Sequence, residues 1–113
     1  MGDVFCTTDP RGYVIHLEES RWEEHIKADH SVMNNNVGAI EETVNKPEFI
    51  FESSKIPDRQ VYFKRATGTT YSSEYYTKVI VKIDPIIPHG QVVTAFPTED
   101  VCGGIGAKIY GKD

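Results

Sequence analysis

Three runs of period-two alternation, separated by gaps too short for a crossover helix, constrain this chain most. Residues 60–66 set Val61, Phe63 and Arg65 against Tyr62, Lys64 and Ala66. Residues 75–84 set Val79, Val81 and Ile83 against Lys78, Ile80 and Lys82, and residues 91–96 set Val92, Thr94 and Phe96 against Val93 and Ala95. Alternation of this kind marks strands with unlike faces. A shorter strand is expected over 49–52, after Pro47. The connections 53–59, 67–74 and 85–90 are turn-rich, so neighbouring strands are expected to be antiparallel.

Ahead of these strands the period changes. Residues 4–8 and 12–17 flank Asp9-Pro10-Arg11-Gly12, a turn signal that predicts a short hairpin or two extended pieces. Ser20-Arg21-Trp22-Glu23 has the pattern of a capping box, with Ser20 as N-cap and Glu23 reaching back. Trp22, Ile26 and Met33 then recur near helical spacing, interrupted by Asp29. Asn34-Asn35-Asn36 separates a second helix, with Val37, Ile40 and Val44 on its apolar face and Pro47 ending it. Gly103, Gly104 and Gly106 precede a candidate last strand over 107–110. The expected fold class is α+β: a short N-terminal hairpin or extended segment, then two helices packed on a four-stranded antiparallel sheet. One domain, 1–113, is expected.

With 113 residues and 39% hydrophobic side chains the chain can bury one core without staples. Apolar runs of four or five residues cannot span a bilayer. From Met1-Gly2-Asp3 no signal peptide is expected, and with Cys6 in place of Ser or Thr no myristoylation is expected. A cytoplasmic monomer is expected. Cys6 and Cys102 read as reduced thiols. The formal charge of −5 argues against passive binding to long nucleic acid, which needs basic surface. The acidic residues concentrate in the first half, however, and the strand region carries Lys55, Arg59, Lys64, Arg65, Lys78 and Lys82.

Few residue groups have chemistry to offer. His25 and His30 are spaced poorly for a zinc clamp, and His16 and His89 could only meet through the fold, so no metal and no cofactor is expected. Asp29 lies one turn after His25 and can orient its imidazole. Tyr62-Phe63-Lys64-Arg65 offers a cationic and phenolic face able to hold a phosphate, with Lys82 as a neighbour from the next strand. Thr94 is an ordinary strand residue on its own. The 102–106 loop lacks the context of either nucleotide motif.

The ordered runs Arg21-Trp22-Glu23-Glu24-His25-Ile26 with His30, Ile40-Glu41-Glu42-Thr43 to Lys46-Pro47, Val61-Tyr62-Phe63-Lys64, the apolar strand 79–83, and Gly90-Gln91-Val92-Val93-Thr94-Ala95-Phe96 resemble a known family. It is the phage-associated branch of the barnase–EndoU–colicin–RelE nuclease superfamily. The resemblance covers about residues 16 to 98. It implies metal-independent RNA cleavage at a polar site on the sheet, built from a helix histidine, basic and aromatic strand residues and a late Ser or Thr. Carried onto this chain, it names His25, Asp29, Lys64, Thr94 and Tyr62 as catalytic, with His30, Arg65 and Lys82 binding substrate. Attack by the substrate's 2′-hydroxyl would leave a 2′,3′-cyclic phosphate. His25 is expected to matter more than His30, whose helix-end position suits a carbonyl-capping role. The expected partners are RNA and an antitoxin or parent phage or toxin protein. The competing expectation is a catalytically inactive protein-binding module of the same fold.

Overall fold

The computed structural model describes residues 2–111; Met1, Lys112 and Asp113, the ends of the expected 1–113 domain, lie outside the described residues. Strands β1 (Asp3–Thr8) and β2 (Val14–Glu18) form an antiparallel hairpin. A helical stretch over 19–29, here α1, comes directly after, then a 3-10 turn at Ser31–Asn35 and the helix α2 (Val37–Asn45). The rest is strand: β3 (Phe49–Ser53), β4 (Arg59–Arg65), β5 (Tyr76–Asp84), β6 (His89–Thr98) and β7 (Ile105–Tyr110).

All seven strands join one sheet in the order β1-β2-β6-β5-β4-β3-β7. Every pairing is antiparallel except β2 with β6, which is parallel over Val14↔His89, Ile15↔Gly90 and His16↔Gln91. This corrects the expected four-stranded antiparallel sheet. A four-stranded core would leave rows of unpaired N–H and C=O groups along β6 and β3. The N-terminal hairpin pairs with the first part of β6, and the C-terminal strand pairs with β3.

Helices cover one face of the sheet. Ile15, Leu17, Ile50, Tyr62, Val79, Val81, Ile83, Val92 and Ala95 point beneath them and meet Trp22, Ile26, Met33, Ile40 and Val44 in one core. In α1, Trp22–Ile26 is a π turn in which the Lys27 N–H reaches the Trp22 carbonyl. The expected capping box is absent: α1 begins at Glu19, and no side chain caps its start. Asn36 precedes α2 without capping it through its side chain: its amide donates to the Val32 carbonyl and Thr70 Oγ1.

A bulge in β6 corrects the alternation over 91–96. Ile80 pairs with Thr94 but Val81 pairs with Val92, leaving Val93 as the extra residue. An inserted residue reverses the facing of every strand position beyond it. Val92 therefore joins the core, whereas Thr94 and Phe96 share the opposite, open face with Ile80 and Lys78. The chain between β6 and β7 crosses that open face, because β7 docks beyond β3. Its residues 102–104 form a strap over the sheet.

Candidate functional site

Beside the strap, the open face forms a groove of about 370 Å³ lined by Ser53, Lys55, Ile56, Arg59, Val61, Lys78, Ile80, Val93, Thr94, Phe96, Gly103 and Gly104. Three cations and no carboxylate stand in that lining, although the whole chain carries −5. A larger hollow of about 470 Å³ beside Thr7 and Gly38 is lined by Glu41 and Glu42 against the single cation Lys46, a balance less suited to an anion.

Lys78 sits at the heart of the groove and is 6% exposed. Its ammonium donates to the Cys102 carbonyl at 3.1 Å and the Gly103 carbonyl at 2.7 Å. It also lies 5.4 Å from the Phe96 ring centre and 5.7 Å from that of Phe63. Burial, with some help from the charge of Lys55, draws its pKa below the usual lysine value, while Cys102 opposes the shift. Gly103 permits the strap's approach: its φ is +87°, and an added Cβ would lie 2.9 Å from Lys78 Nζ. Arg59 and Lys82 are cross-strand neighbours that share Asp58, at 2.5 Å and 4.0 Å.

Aromatic rings continue along this face. Phe49 neighbours Phe51, Phe51 meets Phe63 edge-on, and Phe63 meets Tyr76 edge-on. The Arg65 guanidinium lies 4.3 Å over the Tyr76 ring. Cations interleaved with aromatic rings suit a single-stranded polyanion with stacking bases.

The residues named from the sequence are dispersed. Thr94 lines the groove, but its hydroxyl oxygen is buried and lacks a hydrogen-bond partner. Arg65 and Lys82 lie on the same open face. His30, at the end of α1, stacks on Phe96 with ring centroids 5.0 Å apart. His25 and Asp29 do form their pair, at 3.2 Å, but His25 lines a different hollow with Glu18, Ser20, Arg21 and Glu24. Lys64 faces the helix layer, 3.7 Å from Glu42 of α2.

Tyr62 is fully buried beneath the helices. Its hydroxyl donates to Asp9 Oδ2 at 2.7 Å and accepts from Arg11 Nη2 at 2.9 Å. Burial, then Asp9, pushes the phenol pKa far upward. Asp9 itself accepts from the Arg11 and Tyr13 N–H groups and from the Arg11 guanidinium. This cluster locks the β1–β2 turn onto β4 and keeps the Tyr62 hydroxyl on the covered face, away from the groove. Sequence reasoning passed over Lys55, Arg59 and Lys78 as site residues. The usable signal was the shared face of Lys78, Ile80 and Lys82; the strap that orients Lys78 leaves no such trace.

No family model, curated protein or solved structure matches the chain. Among the described residues, no helix is long and apolar enough to cross a membrane.

Proposed function

We propose that this chain is a metal-independent RNA-cleaving domain that holds a single strand on the open face of its sheet. The observation that carries this reading is the carboxylate-free cationic groove centred on Lys78, set in an acidic protein. The substrate's 2′-hydroxyl attacks the adjacent phosphorus and the bond to the 5′-oxygen breaks, giving a 2′,3′-cyclic phosphate and a 5′-hydroxyl. Lys78 and Arg59 offset the charge that builds on the phosphoryl oxygens. One group must take the 2′-hydroxyl proton and one must supply a proton to the 5′-oxygen. His30, which stacks on the groove residue Phe96, is the histidine assigned to one of these transfers. The family resemblance over residues 16 to 98 supports the same chemistry.

Purified protein with end-labelled RNA in EDTA tests the proposal. Cyclic-phosphate products that persist under chelation are expected; 5′-phosphate products, or loss of cleavage in EDTA, would refute the mechanism. One observation favours the rival reading, a binding module of the same fold: no histidine belongs to the groove lining itself. Inertness towards every RNA, together with retained folding, would decide for the module.

A further inference from the structure

His16 on β2 and His89 on β6 meet on the open face where the hairpin joins the sheet. Val14 pairs with His89 and His16 with Gln91, which makes the two histidines diagonal neighbours across the parallel pair. Their ring centroids are 4.6 Å apart, with the planes inclined at 56°. Nδ1 of His16 lies 2.9 Å from Asp3 Oδ1. With the Nδ1 proton given to that carboxylate, the lone pair is left on Nε2. That Nε2 atom is buried and has no hydrogen-bond partner. A desolvated nitrogen left unused calls for a reason. An imidazole braced by a carboxylate at one nitrogen and bare at the other is the arrangement that metal-bound histidines adopt.

We propose that His16 and His89 together bind one borderline divalent transition ion, Ni²⁺ or Zn²⁺, through imidazole nitrogens. Asp3 braces His16, and water completes the coordination. No third protein ligand converges among the described residues, so the site is open and weaker than a structural four-ligand zinc centre. Imidazole is a suitable donor for both ions, and Ni²⁺ and Zn²⁺ lie near each other at the strong end of the divalent series. Asp84, the cross-strand partner of His89, adds negative charge nearby, and Lys82 opposes it. The bound ion would staple the hairpin to the sheet at a joint made of three residue pairs. The site is separate from the proposed RNA groove, and its test does not use cleavage.

Untagged protein, stripped with EDTA and dialysed at about pH 7.5, where ordinary imidazoles are mostly neutral, is titrated with Ni²⁺ and Zn²⁺ by calorimetry. Melting is monitored in parallel. One ion per chain is expected, with Tm rising by several degrees when free metal is about a hundredfold above Kd. His89→Gln should abolish both effects. His16→Gln should do the same, but it removes a mostly buried side chain, so the decision rests on the half-buried His89, with circular dichroism confirming its fold. His25→Gln and Cys6→Ser should bind as the parent does. Absence of binding by both ions, retention of binding in folded His89→Gln, or its loss in Cys6→Ser would overturn the two-histidine site.

Discussion

The ring of His30 lies against that of Phe96, centroids 5.0 Å apart and planes inclined by 30°. This stack couples the end of α1 to the wall of the cationic groove. Under the chemistry proposed above, it would make His30 matter more than His25, the opposite of the order expected from sequence, where His25 had the better partner. Under the proposed chemistry, His30→Ala should lower the rate of RNA cleavage about 100-fold or more, in the range typical of a lost acid–base group. His25→Ala should cleave as the parent does. Single-turnover rates for both variants, with melting curves to confirm folding, provide the comparison. A folded His30→Ala protein with full activity would end the assignment.

Lys78 predicts a pH dependence with a definite sign. Its folded-state pKa lies below the ordinary 10.5, chiefly because it is buried. Affinity for a labelled oligonucleotide should therefore fall as pH rises through that lowered value, before ordinary lysines discharge. Stability responds in the opposite sense. Between the lowered pKa and 10.5 the unfolded chain holds the proton more tightly, so this residue's contribution to stability rises with pH across that window. Lys78→Arg should move the loss of affinity to higher pH. Coincident binding profiles for the two proteins would contradict the role given to Lys78.

Tyr62→Phe should separate stability from function. Deleting the hydroxyl leaves Asp9 Oδ2 and Arg11 Nη2 each short of one partner beneath the helices. A cost of about 1–3 kcal/mol is expected in urea unfolding. Because the phenol lies on the covered face, oligonucleotide affinity should stay the same below the melting range. A selective loss of affinity in the folded variant would restore Tyr62 to the site.

Gly90→Ala should destabilise by overpacking. A Cβ at this position would lie 2.8 Å from Ile15 Cδ1, 2.9 Å from Ile83 Cδ1 and 2.9 Å from Val81 Cγ1. All three side chains are buried. The expected cost is about 1–3 kcal/mol, read as a lower urea midpoint at unchanged slope. A variant as stable as the parent would mean that β2 and β6 pack more loosely than these distances imply.

Local rules made part of the fold legible in the sequence. Alternation located β4, β5 and β6, and Asp9-Pro10-Arg11-Gly12 marked the turn between β1 and β2. Pairing between distant strands is invisible to such rules. Nothing near Val14 or His89 announces a parallel partner, so the mixed sheet was missed. The Val93 bulge defeated the alternation argument itself, since one inserted residue changes which side chains share a face. The π turn at Trp22–Ile26 likewise shifts side chains from ideal helical positions. At the site, the aromatic and cationic strand residues were visible, but not which face each would take. Tyr62 and Lys64 went under the helices because β4 places them opposite Phe63 and Arg65.

The parallel joint also sets an order of events as the chain emerges from the ribosome. His16 finds its strand partner Gln91 about 75 residues later. At roughly 5–20 residues per second, that segment arrives after about 4–15 seconds of synthesis. Throughout the interval β2 has β1 beside it and no sheet to join, and Ile15 and Leu17 lack much of the apolar surface that finally encloses them. Nascent chains halted before residue 89 should therefore bind hydrophobic-surface chaperones through this hairpin, and the binding should end once β6 has cleared the exit tunnel.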